Sequence, residues 1–268
     1  MKLVQKALFT VGVGLLTAAG GVASTLPGVN SQTILDQARN LRPQVLELAL
    51  KAYTRAADEG VVRRPVLTII DYQLPSYEKR LWVIDMKSGR VLLDEWVAHG
   101  MGRPCGSGGT MIDATSFSNQ EGSRRSSLGL FITAETYPGR HGYSLRLDGL
   151  EPGINDKARR RLIVIHGAGY VSPDRARQHL VGRSWGCPAV RPGISRRLID
   201  AIKGGSVVWI YFPDRSWLAS SRFLHEARPN NETLVAASEQ PPSRPIPLAR
   251  LSSGNPSEDP PETARRDP

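Results

Sequence analysis

From Pro65 to Phe212 the chain breaks into seven short runs rich in β-branched, aromatic and aliphatic residues: "VLTII", "RLWVID", "VLLDEWVA", "LGLFIT", "YSLRL", "RLIVIH" and "SVVWIYF". Each has the length of a strand, and turn residues separate them, with "MKSGR" between the second and third reading as a hairpin turn. No helical pattern alternates regularly with the runs, so a repeated βα architecture is excluded. The fold class expected is mainly β (α+β), a β-sandwich spanning residues 61–225, preceded by a helical segment over 24–60. In that segment Ser31 caps "SQTILDQARN", and Pro43 opens "PQVLELALKAYTRAADEG". Val45, Leu48, Ala49, Ala52, Tyr53 and Ala56 fall there at helical spacing, and Gly60 closes the helix. With 268 residues, one main domain is expected.

The two ends have different compositions. "MKLVQKALFTVGVGLLTAAGGVAS" places Lys2 and Lys6 before an apolar run and small residues at Gly21, Val22 and Ala23. That order predicts a signal peptide over residues 1–23 and an exported protein of the periplasm or cell envelope. Residues 226–268 are rich in Pro, Ser and charge and nearly free of aromatics, which predicts a disordered tail. The tail carries five Arg against seven acidic residues and the leader two Lys, so the whole net charge of +10 falls on residues 24–225. A basic exported body is drawn to anionic envelope material. Zinc-finger spacing, an RNA-binding aromatic signature and a helix-turn-helix pattern are all missing, so no nucleic-acid partner is expected.

Two cysteines are present, Cys105 and Cys187. In an exported protein they form a disulfide or remain free thiols with separate roles. Around Cys187 the composition favours a nucleophile: Arg183 and Arg191 lie near it, and "RLIVIH" ends upstream in His166. Cationic neighbours and a base within reach are what activate a thiol. A disulfide to Cys105 would consume that thiol. Cys105 itself lies in a Gly-rich loop, "HGMGRPCGSGGT", with no base beside it.

His166-Gly167, followed by Ser184 and "SWGC", resembles the His-Gly…Ser-x-Gly-Cys signature of YkuD-type L,D-transpeptidases, and most closely the murein L,D-transpeptidase catalytic domain family. The blocks "TIIDYQLPSYEKRLWVIDMKSGRVLLDEWVAHG", "ATSFSNQEGSRRSSLGLFIT", "HGYSLRLDGLEPGINDKARRRLIVIHGAGYVS" and "GRSWGCPAV" extend the resemblance from about Val66 to Phe212. The resemblance implies an L,D-transpeptidase-like sandwich with Cys187 as nucleophile and His166 as general base, the imidazole oriented by the Gly167 carbonyl. Ser184 and Gly186 would form a turn whose backbone N–H groups face the oxyanion. It further implies peptidoglycan tetrapeptide stems as substrate; no cofactor and no metal are expected, and a monomer is the expected state. The family usually has Arg or Asn two positions past the cysteine. Here that position is Ala189, so Arg183 and Arg191 both stand as substrate-binding candidates, with Trp185 beside them.

Other motifs compete. "GRSWG" matches the nucleophile elbow of serine hydrolases, and Ser184, Asp200 or Asp214, and His225 follow that order. However, the charged "SPDRARQHLV" before it is no buried strand. "SYEK", Ser76 to Lys79, matches S-x-x-K without the motif that should follow. No H-x-x-x-H or C-x-x-C supports a metal, and His99, His141 and His179 read as loop residues. Two further functions stay open: an L,D-carboxypeptidase using water as acceptor, and an inactive wall-binding protein of the same fold.

Overall fold

The computed structural model describes residues 29–102 and 111–225; the leader, Cys105 and the tail lie outside the described residues. Helix α1 spans Ser31–Gln37 and α2 Pro43–Asp58. Ser31 is the first helical residue rather than the cap. Asn30, in extended conformation, caps instead, its Oδ1 accepting from the Gln32 N–H at 2.8 Å. Pro43 opens α2, and Gly60 closes it at φ +71°. The buried stripe of α2 is broader than expected, adding Leu46 and Leu50 to Val45, Ala49, Ala52, Tyr53 and Ala56, while Leu48 is half-buried.

Eight strands form a single curled sheet ordered β3-β2-β1-β8-β4-β5-β6-β7. They run Val66–Asp71 (β1), Leu81–Asp85 (β2), Arg90–Glu95 (β3), Gly129–Gly139 (β4), Gly142–Gly149 (β5), Val164–Gly167 (β6), Ala189–Val190 (β7) and Val207–Tyr211 (β8). The parallel pair β1 and β8 is buried at every position, in keeping with their unbroken apolar sequences. Helix α2 packs against both, and α4 (Pro192–Ile202) packs against β6, β5 and β1. The two ends of the sheet meet. Beyond β3 the Ala98 N–H donates to the Ala189 carbonyl at 2.8 Å, tying the β3 side to β7 and bringing the sheet close to a closed barrel. The mainly β class and the sandwich-like architecture expected from the sequence are therefore present.

Behind the sheet, Asn155 is a buried hub. Its Oδ1 accepts from the Glu151 N–H at 2.8 Å, and its Nδ2 donates to the Leu128 and Leu130 carbonyls at 2.9 and 3.0 Å. Truncating it strands the Glu151 N–H and the Leu128 carbonyl away from water, while the Leu130 carbonyl keeps the Leu150 N–H at 3.0 Å. Asn155→Ala should therefore cost about 2–4 kcal/mol in urea unfolding. A change below about 0.5 kcal/mol would show that water replaces the amide without loss.

Candidate active site

Register builds the site. Parallel pairing of β6 with β7 sets His166 opposite Ala189 and Gly167 opposite Val190, which brings Cys187, two residues upstream, to the end of β6. Ile165 and Val164 anchor β6 in buried surroundings, and His166 is itself 2% exposed. The loop between the two strands packs its own small cluster, Ala168, Val171, Ala176 and Val181 against Ala98 and Ala189. Within this loop the short α3 (Pro173–Arg177) is capped by Ser172. The loop is therefore structured and carries Tyr170, Arg183 and the Cys187 turn at fixed positions.

Cys187, His166, Tyr170, Ser184, Trp185, Arg183, His141 and Arg140 line one pocket of about 220 Å³. The His166 Nδ1 lies 2.9 Å from the Gly167 carbonyl oxygen. A carbonyl only accepts, so Nδ1 carries the hydrogen and Nε2 is left with its lone pair. Burial pushes the His166 pKa down; the Gly167 hydrogen bond opposes this, and His141, stacked on the ring at 4.2 Å, adds to it. Burial pushes the Cys187 thiol up, while the Val164 N–H and the Arg161 charge pull it back. Its Sγ also lies 3.5 Å from the Leu162 carbonyl. Both charged forms are thus disfavoured at rest, so at neutral pH the pocket holds a thiol and a neutral imidazole with a free lone pair. That is the arrangement of a nucleophile awaiting general-base activation.

The turn itself is over-determined. Ser184 Oγ donates to the Cys187 carbonyl at 2.6 Å and accepts from the Gly186 N–H at 3.1 Å, and the Ser184 N–H donates to the His99 carbonyl at 2.9 Å. The N–H groups of Ser184 and Gly186 are therefore occupied within the protein, and their bonds brace the Cys187 turn. The Ser184 hydroxyl is directed to a carbonyl, and its serine-hydrolase partners lie elsewhere. Asp200 binds Lys203 and Tyr143, Asp214 caps Arg215–Ser220, and His225 contacts the Leu218 carbonyl. Ser76 bonds the Met111 carbonyl and Lys79 pairs with Asp94, so they do not act as a unit.

The two candidate arginines separate. Arg183 lines the pocket, whereas Arg191 does not: its guanidinium grips the buried Glu95 with two bonds of 2.9 and 2.6 Å. Trp185 is 58% exposed at the pocket rim with the Arg124 guanidinium 4.1 Å over its ring. Four groups near the thiol escaped the sequence reading: His141, Tyr170, Arg140 and Arg161. His141 sits in the β4–β5 turn and meets His166 only through the sheet. Burial drives the Tyr170 phenol up to about 12, the Cys187 charge adding to the effect. His99 lies in the loop beyond β3, as expected, but is only 2% exposed, its Nδ1 2.9 Å from the buried Arg80 guanidinium. His179 stacks on Tyr77 at 3.8 Å. Among the described residues no cluster of three His, Cys, Asp or Glu side chains is placed to hold a metal ion.

Solved structures with similar topology include an L,D-transpeptidase from Mycobacterium smegmatis, at 15% identity and a TM-score of 0.32, covering 55% of this chain and 59% of that one. L,D-transpeptidase 1 from Mycobacterium tuberculosis, at 12% identity and a TM-score of 0.30, covers 55% and 62%. The helical cell shape determining protein of Campylobacter jejuni, at 11% identity and a TM-score of 0.36, covers 62% and 56%. The chain thus spans only about three fifths of the length of these structures. Among curated proteins none matches it. The family model of the L,D-transpeptidase catalytic domain matches residues 37–211, from the end of α1 through β8 and across every element that builds the pocket. The chain belongs to the L,D-transpeptidase catalytic domain family.

Proposed function

We propose that the protein is an exported, cysteine-dependent peptidoglycan L,D-transpeptidase. One observation carries the reading: Cys187 shares a pocket with a His166 whose Nδ1 is fixed on the Gly167 carbonyl, leaving Nε2 as the base. In the first step Nε2 takes the thiol proton while Sγ attacks the carbonyl of the third residue of a tetrapeptide stem. The bond to the terminal D-alanine then breaks, the imidazolium returns its proton to the leaving amine, and a thioester remains on Cys187. An amine from a second stem resolves the thioester as a crosslink. Arg183 and Arg140 at the pocket suit a carboxylate-bearing stem. Export rests on the leader read in residues 1–23, and the +10 charge of the body suits an anionic envelope.

Muropeptide masses after incubation with tetrapeptide stems test the reading. Dimers with loss of D-alanine support it. Loss of D-alanine alone makes the protein a carboxypeptidase, and unchanged masses leave a wall-binding role.

The pH dependence follows from the two shifts. His166 loses its proton below the ordinary imidazole value of about 6.5, and the thiol holds its proton above its ordinary 8.5. The competent pair therefore exists between them. The profile of kcat/KM against pH should rise with a midpoint below about 6.5 and stay flat through neutrality. An acid limb centred at about 7 or above would mean that burial does not govern His166.

A further inference from the structure

We infer that Arg161 is a positioning residue for the Cys187 thiol: it holds the segment that braces the nucleophile turn and supplies the positive charge beside which the thiolate forms. The inference rests on the reading of Cys187 as nucleophile. Arg161 is half-buried immediately before β6. Its Nη1 donates to the Ser118 carbonyl at 2.5 Å and to the Ser127 hydroxyl, and its Nη2 donates to Ser123 Oγ at 3.1 Å and to the Arg125 carbonyl at 2.6 Å. Every one of these partners is a neutral oxygen. The carboxylate within reach of its field, Glu121, is bonded to the neighbouring Arg160. A partly desolvated guanidinium without a bonded carboxylate favours any anion that forms next to it.

The anion that can form there is the Cys187 thiolate. Sγ lies against the chain just after Arg161, 3.5 Å from the Leu162 carbonyl. Leu162 holds φ +55°, a left-handed conformation that a leucine adopts only under constraint, and it turns this stretch beneath the sulfur. Burial pushes the Arg161 guanidinium down, and Cys187 is the first of the charges that raise it again.

The four hydrogen bonds tie the same residue to the nucleophile turn by a second route. They fix the stretch from Ser118 to Ser127, whose Ser126 Oγ donates to the Gly186 carbonyl at 3.0 Å and accepts from the Gly100 N–H at 2.9 Å. Arg191, by contrast, has its charge answered by Glu95. The other titratable or charged groups facing the thiol are His166 on β6, His141 in the β4–β5 turn, Tyr72 after β1, Tyr170 in the β6–β7 loop, and Arg140 and Arg183 lining the pocket.

The test is the rate of Cys187 alkylation by iodoacetamide against pH, on the full chain carrying Cys105→Ser, with circular dichroism melts in parallel. Arg161→Gln, which keeps donors but no charge, should move the thiol midpoint up by about one pH unit and slow alkylation at pH 8 about tenfold. Arg161→Lys, which keeps the charge, should lie nearer the unsubstituted protein. A midpoint in Arg161→Gln within about 0.3 pH unit of the unsubstituted protein overturns the inference. So do equal displacements in both variants, or loss of fold in both, since each would leave Arg161 as a mechanical clamp alone. The readout needs no peptidoglycan. A protein inactive on muropeptides would sink the proposed function and leave this result standing.

Discussion

Cys187→Ala should abolish release of D-alanine from tetrapeptide stems, a loss on the order of 10⁴-fold or more, while the melting temperature stays within a few degrees of the unsubstituted protein. The sulfur is the only atom removed. It makes one long contact to the Leu162 carbonyl, whereas the backbone of Cys187 is held independently by Ser184 Oγ. Nothing that braces the turn is lost, so a change in turnover reports chemistry rather than collapse. Residual activity near the original level would transfer the nucleophile's role to another group. Ser184 is poorly placed to take it, since its hydroxyl donates to the Cys187 carbonyl.

Gly186→Ala should be the second largest effect, and it acts through backbone alone. Gly186 holds φ +121°, and a Cβ there would stand 2.8 Å from the Arg125 carbonyl and 2.9 Å from Ile163 Cδ1. The carbonyl is main chain and already accepts from Arg161, so it cannot simply swing aside. Relief must come from the turn, which displaces Cys187 relative to His166. A shift of about 1 Å in a reacting group costs roughly 100-fold in rate, and the strain itself about 1–3 kcal/mol of stability. Gly60→Ala is the matched control, at φ +71° with open space around it: about 1 kcal/mol of stability and no loss of turnover are expected. If Gly186→Ala turns over at the original rate, the turn geometry is not what sets the nucleophile.

The strands that were legible in the sequence are those whose burial is written into composition. "VLTII" and "SVVWIYF" became the buried β1 and β8, while "RLIVIH" shortened to β6, Val164–Gly167, which carries His166 next to its end. What escaped was short or set by distant partners. Strand β7 is two residues long and exists because β6 and Ala98 bond to it, so no periodicity could announce it. Helix α4 begins at "RPG", where Pro192 at its first turn is a start signal that the flanking arginines obscure. In the site, Cys187 and His166 stood out by their neighbours, and Gly167 by the family resemblance. The choice between Arg183 and Arg191 did not, because it depends on Glu95 at the end of β3, 96 residues away along the chain. His141 and Arg161 were invisible for the same reason: an arginine in "ARRRL" and a histidine in a turn acquire meaning only when the curled sheet sets them beside the thiol.

The central claim is that Cys187 carries the acyl group. Intact-protein mass spectrometry of the full chain, quenched in acid seconds after mixing with a tetrapeptide-stem muropeptide, reads it directly. The account predicts a mass increase equal to the donor less D-alanine, localised by peptide mapping to Cys187 and absent from Cys187→Ala. Release of D-alanine with no adduct at any time, or an adduct mapped to Ser184, would contradict it.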